Sequence, residues 1–189
     1  MRCGKRQPLL DYSTLFLVVG FGVAVWLRVA VGGASVARSG SAGLVFAGAL
    51  IVLTLAAGVP ARPALRSVGW GVAGAVVLCV PPLLLAGGHR PGGAFLPWAA
   101  IVTVVAVAEE AFLRGALYES LVASRSQLVA VGVTTVCFAA LHVPLYGWQA
   151  VPLDLAVGLW LGTLRQVSGN WTAPATAHVL ADLAGWWLR

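Results

Sequence analysis

The chain has 189 residues, of which 60% are hydrophobic and only 10% are charged. Soluble globular domains carry about 25% charged residues, so this composition argues against a soluble protein and for a chain that crosses a membrane several times. The formal net charge of +6 comes from Arg and Lys residues scattered at the ends of apolar segments. Because they form no continuous basic stripe, they give no support to nucleic-acid binding.

About 20 apolar residues are needed to cross the hydrocarbon core of a bilayer. By this length the sequence predicts an all-α polytopic membrane protein, a bundle of about seven transmembrane helices in a single membrane-embedded domain over residues 1–189. The predicted helices span residues 13–32, 43–59, 68–88, 95–123, 127–146, 150–165 and 172–188. Gly-, Pro- and Arg-rich segments separate the first four of them.

The first apolar segment has two interpretations. Basic residues precede it and the stretch Ala34-Ser35-Val36-Ala37 resembles a cleavage site, which is the pattern of a secretory signal peptide. Apolar character nevertheless resumes at Val29 and continues to Gly33, so the segment is long enough to span a membrane. We therefore favour a first transmembrane helix over a cleaved signal peptide.

The basic residues near helix ends predict the orientation of the bundle in the cell membrane. If the N-terminus is cytoplasmic, seven of them lie on the cytoplasmic side: Arg2, Lys5, Arg6, Arg62, Arg66, Arg125 and Arg165. Four lie on the opposite side: Arg28, Arg38, Arg90 and Arg189. The positive-inside rule therefore favours a cytoplasmic N-terminus.

Two glycine patterns occur within the predicted helices. Gly158-x-x-x-Gly162 and Gly69-Trp70-Gly71-x-x-Gly74 would let neighbouring helices approach closely. The general enrichment of glycine in membrane helices explains both patterns equally well, so they leave the helix contacts open.

Fourteen residues without charge precede the adjacent carboxylates Glu109 and Glu110. An ionisable residue at membrane depth is costly and marks a functional site by default. Glu110 and Arg114 lie one helical turn apart and can form an ion pair. The alternative to a functional role is that this pair is purely structural. Glu109 projects about 100° away and lacks that partner, so it suits the role of a general base. Glu119 is expected to be a solvated charge near the helix end.

Further ionisable residues lie on the last predicted helices. His142 follows Phe138 by one turn, and Asp182 follows His178 by one turn, where it can orient the imidazole ring or keep it protonated. Glu109 and His142 lie about 24 and 22 Å from the cytoplasmic ends of their helices, whereas His178 and Asp182 lie shallower, at about 9 and 15 Å. A single histidine is commonly a core residue. Four ionisable residues on three apolar helices at overlapping depth predict a site.

Three motifs lie in order on separate predicted helices: E-E-x-x-x-R, F-x-x-x-H and H-x-x-x-D. Their positions are Glu109, Glu110, Arg114, Phe138, His142, His178 and Asp182. In this order they resemble the motifs of the CAAX protease and bacteriocin-processing family, whose members are intramembrane glutamic endopeptidases. The resemblance covers the motif-bearing region, residues 95–189.

The resemblance implies a role for each matching residue. Glu109 and His142 would activate a water molecule, Arg114 would hold Glu110 as an orienting pair, and Phe138 would support the site. His178 and Asp182 would stabilise the tetrahedral oxyanion. The family often has Asn at the last position, and an ionised Asp182 only accepts hydrogen bonds. Either Asp182 is protonated, or it supports His178 and leaves donation to the ring.

The expected function is hydrolysis of a peptide bond in a membrane protein, or in a lipidated or anchored peptide, within the bilayer. The resemblance allows prenylated C-termini, bacteriocin-linked substrates and C-terminal membrane anchors. No cofactor or metal is expected, and zinc held by the Glu, His and Asp side chains is the less favoured alternative. Two other classes remain: a proton-coupled transporter, which the small size and lack of inverted repeats disfavour, and a non-catalytic immunity or scaffold protein.

Overall fold

The structure is a computed structural model that describes residues 12–32, 36–58, 62–85 and 94–188. Every regular element within these ranges is helical. Several predictions fall on residues outside them, namely the basic residues near the N-terminus, Arg90 and Arg189 in the topology count, and Ala34 and Ser35 of the possible cleavage site.

Within the described residues, eight α-helices form seven helical segments, because a seven-residue π-helix, Ala111–Leu117, joins two of them end to end. The helices are α1 (Tyr12–Gly32), α2 (Val36–Ala56), α3 (Val68–Leu85), α4 (Phe95–Glu110), α5 (Tyr118–Ser124), α6 (Gln127–Tyr146), α7 (Val151–Ser168) and α8 (Thr172–Leu188). Short 3₁₀ turns precede α3 and α7. The predicted all-α membrane bundle is confirmed.

The largest boundary difference is at α2, which begins at Val36 although the prediction began at residue 43. The glycines and serines of this stretch favour a loop by local propensity. Gly40 and Gly43 instead face α4, where an added Cβ would lie 3.1 Å from Ile101 and 3.3 Å from Val105. Close packing of small residues against α4 thus extends the helix beyond what local propensity predicts.

Four helical segments within the described residues are long and apolar enough to cross a membrane: Tyr12–Gly32, Ser39–Ala56, Phe95–Ser124 and Gln127–Tyr146. A shorter apolar helix covers Leu65–Val80. The chain is therefore a multi-pass membrane protein. In the bundle, α8 packs along α3 and α4, and α7 packs along α6.

Both glycine patterns mark close contacts between helices. A Cβ at Gly71 would lie 2.5 Å from the carbonyl oxygen of Ala173, so α3 and α8 approach backbone to backbone. A Cβ at Gly158 would lie 3.2 Å from the Cα of Thr135, which brings α7 close to α6. Gly69, in the same pattern as Gly71, has no such neighbour within 4 Å among the described residues.

We expect Gly71→Ala to lower the free energy of unfolding by about 1–3 kcal/mol, because the added methyl group overpacks the contact between α3 and α8. Its Cβ would meet backbone oxygen, which cannot move aside as a flexible side chain can. Gly69→Ala is the matched control and is expected to be neutral or slightly stabilising. Thermal unfolding of both variants in detergent measures the difference, and equal midpoints would contradict the packing argument.

Candidate active site

One cavity of about 490 Å³ opens among α1, α2, α4, α6 and α8. All four residues predicted to be catalytic line it: Glu109, His142, His178 and Asp182. The same cavity has apolar walls that include Trp98, Ile101 and Val105. The structure therefore brings the three sequence motifs to one place, although sequence-based depth put His178 and Asp182 closer to the cytoplasmic side.

The side chains of Glu110 and Arg114 form a wholly buried ion pair, with 2.8 Å between Oε1 and Nη1. The same carboxylate oxygen accepts a hydrogen bond from Nδ1 of His178 at 3.0 Å. Arg114 also donates from Nη2 to the carbonyl oxygen of Gly158 at 3.0 Å, and its guanidinium lies 4.9 Å from the centre of the Phe138 ring. The predicted pair thus connects α4 to three other helices.

The backbone that carries Arg114 is the π-helix, a form that is rare and frequently occurs at functional sites. Nε of Arg165 in α7 donates to the carbonyl oxygen of Arg114 at 2.8 Å. The Arg165 guanidinium also pairs with Glu119 and stacks over the ring of Tyr118. Glu119, predicted as a solvated charge near a helix end, is partly exposed but has a basic partner.

Glu109 has a basic partner that the sequence reasoning missed. Nη1 of Arg28 in α1 lies 3.3 Å from Oε1 of Glu109. The positive-inside rule predicts Arg28 among the charges opposite the N-terminus, whereas in the structure it lines the cavity. The signal in the sequence that indicates this contact is depth in the membrane. Arg28 lies about 24 Å from the start of α1 at 1.5 Å per residue, which equals the predicted depth of Glu109.

The hydrogen bond of His142 determines what its ring can do. Nδ1 lies 2.9 Å from the carbonyl oxygen of Phe138, and a carbonyl oxygen only accepts, so Nδ1 carries the hydrogen. In the neutral ring Nε2 then has the free lone pair and can accept a proton. The rings of Phe138 and Tyr146 pack against the imidazole, with centroid distances of 4.6 and 5.7 Å.

The His178 ring lies between two carboxylates. Nδ1 contacts Glu110, whereas Nε2 lies 3.7 Å from Oδ2 of Asp182, which is longer than a hydrogen bond. Glu110 therefore orients the ring, a role that the sequence pattern allows for Asp182 as one of two alternatives. The sequence holds no local signal for this contact because the two residues are 68 positions apart.

The described part of the chain contains no group of three or more His, Cys, Asp or Glu side chains placed to hold a metal ion. A family model described as type II CAAX prenyl endopeptidase Rce1-like matches residues 91–184, about half of the chain. The chain belongs to the CAAX protease and bacteriocin-processing family. At the level of the family it is a CAAX-type intramembrane protease, which acts on membrane-associated substrates. No curated protein and no solved structure gave a significant match.

In this CAAX-type protease we expect Arg114→Met to lower the free energy of unfolding by about 3–5 kcal/mol, because it leaves the buried carboxylate of Glu110 without its cation. Adding Glu110→Gln to that variant should recover part of the lost stability, since the uncompensated charge is removed. Arg66→Met, at an exposed position, is the control. If Arg114→Met unfolds at the same temperature as Arg66→Met, the result contradicts a structural role for the pair of Glu110 and Arg114.

Proposed function

We propose that the chain is an intramembrane glutamic endopeptidase in which Glu109 and His142 activate water. The convergence of Glu109, His142 and His178 on one cavity inside an apolar bundle carries this proposal. Among the described residues, Glu109 has a hydrogen bond to Oε1 alone. Its Oε2 is therefore available to a water molecule in the cavity.

The proposed reaction is a direct attack of water on the scissile carbonyl carbon. Glu109 accepts one proton of the water as the new C–O bond forms, and Nε2 of His142 accepts a hydrogen bond from the same water. The peptide C–N bond then breaks, and the proton held by Glu109 passes to the leaving nitrogen. No covalent enzyme intermediate forms, so the products are an amine and a carboxylic acid, which then loses its proton to solvent.

The oxyanion of the tetrahedral intermediate needs a donor on the opposite side of the carbonyl group. In its protonated form the His178 ring donates to Glu110 from Nδ1 and to the oxyanion from Nε2. The carboxylate of Asp182, 3.7 Å from Nε2, then supports the imidazolium through its charge and not as a hydrogen-bond acceptor. This assignment removes the need for an amide at position 182.

The proposed substrate is a membrane protein or a lipidated or anchored peptide, cleaved near a C-terminal or membrane-anchored segment. The apolar wall formed by Trp98, Ile101 and Val105 suits an apolar segment beside the scissile bond. We further propose that the protein lies in the cell membrane with its N-terminus in the cytoplasm, as the excess of basic residues on that side favours.

We expect Glu109→Gln to lower the rate of peptide cleavage by about 10²–10⁴-fold, the contribution of a general base. Comparing the membrane peptides of cells that carry wild-type protein or this variant identifies a substrate, whose cleavage is then measured with purified protein in liposomes. Glu119→Gln is the matched control, because Glu119 lies away from the cavity. Wild-type rates in the Glu109 variant would refute the proposal.

The mechanism uses a carboxylate and an imidazole and no metal, so we expect cleavage to persist in the presence of a strong zinc chelator. The measurement is the cleavage rate in liposomes before and after dialysis against the chelator. A loss of activity that added Zn²⁺ restores would replace this mechanism by a zinc mechanism.

A further inference from the structure

Arg28 reaches the candidate active site from outside the matched residues 91–184. Its side chain is 16% exposed and that of Glu109 is 3% exposed, so the pair at 3.3 Å is largely shielded from solvent. The guanidinium also lies over the ring of Phe46 in α2, 4.8 Å from the ring centre. Phe46 itself has no exposed surface.

We propose that Arg28 is a positioning residue for Glu109, held in place by Phe46, so that α1 and α2 complete the active site. This inference rests on the proposed function of Glu109 as the general base. Arg28 does not touch the reacting atoms in this scheme. It acts through the carboxylate, by determining which oxygen faces the water.

The two carboxylate oxygens of Glu109 have different surroundings. Arg28 binds Oε1, and no hydrogen bond to Oε2 is present among the described residues. A carboxylate that rotates freely presents either oxygen, whereas one held at Oε1 keeps Oε2 in a fixed orientation. Such pre-orientation of a catalytic group is a general way to lower a reaction barrier.

The guanidinium also compensates the charge of Glu109. A buried carboxylate without a partner is strongly unfavourable, and the nearest cation along the helix, Arg114, is occupied by Glu110. The cation that serves Glu109 therefore comes from another helix. Stacking on an aromatic face restricts the long Arg side chain and keeps it directed at the carboxylate.

The test measures kcat and KM separately for Arg28→Gln and Arg28→Lys on the identified substrate. We expect Arg28→Gln to lower kcat about 10–100-fold with little change in KM, because the variant affects the base and leaves the binding walls intact. Arg28→Lys should recover part of kcat, since lysine keeps the charge but lacks the planar fork. Arg66→Gln, at an exposed position, serves as the control and should match wild type.

Chemical rescue separates positioning from folding within one sample. We expect millimolar guanidinium ions to restore part of the kcat of Arg28→Ala and to have no effect on Glu109→Gln. A protein that regains activity on addition of the ion is folded. Wild-type kcat in Arg28→Gln, or an Arg28→Ala variant that is folded by thermal unfolding but not rescued, would overturn the inference.

The contribution of Phe46 has its own matched pair of variants. Phe46→Leu removes the aromatic face under Arg28 and should lower kcat about 3–10-fold, as the loss of one cation–π contact allows. Phe21→Leu makes a comparable change in a buried ring that stacks on Phe112 and should leave kcat unchanged. Equal kcat values for the two variants would contradict the proposed role of Phe46.

Two results distinguish the positioning role of Arg28 from the proposed catalytic role of Glu109. If Glu109→Gln cleaves at the wild-type rate, the glutamic mechanism itself is wrong. If Glu109→Gln is inactive while Arg28→Gln is fully active, the mechanism stands and only the positioning role is lost.

Discussion

The interaction on which the rest of the site depends is the buried pair of Glu110 and Arg114. Neither side chain has any exposed surface, so both charges depend on partners inside the bundle, although Nε of Arg114 and Oε2 of Glu110 have no hydrogen-bond partner among the described residues. Those partners come from elsewhere along the chain: His178 on α8, the carbonyl oxygen of Gly158 on α7 and the ring of Phe138 on α6. One pair of residues therefore links four helices, of which α4, α6 and α8 line the cavity.

Adjacent glutamates on one helix acquire different surroundings because a helix turns about 100° per residue. The Oε1 atom of Glu110 faces the centre of the bundle and accepts two hydrogen bonds. Glu109 lines the cavity, and among the described residues its ion pair is with Arg28. A structural carboxylate and a chemically available one thus arise from consecutive positions, without any difference in residue type.

Much of this arrangement follows from the sequence. Apolar segment length predicts the helices, and the spacing of four residues predicts the contact between Glu110 and Arg114. The π-helix and the contact of Glu110 with His178 were not predictable in the same way, since both depend on packing between distant segments. The start of α2 was missed because Gly40 and Gly43 stabilise it through contacts with α4, not through propensity.

Arg28 could be predicted only in part. Its position in the sequence indicates a helix end, whereas its depth in the membrane indicates the site. Positive residues near helix ends orient a membrane protein, and that rule hides an arginine that pairs with a buried carboxylate. A carboxylate whose neighbouring cation is already paired needs a second cation at its own level in the membrane. Searching the other helices at that depth leads to Arg28, which lies outside the half of the chain that matches the family. The first helix therefore supplies a cation to the cavity, and α1 and α2 help to enclose it.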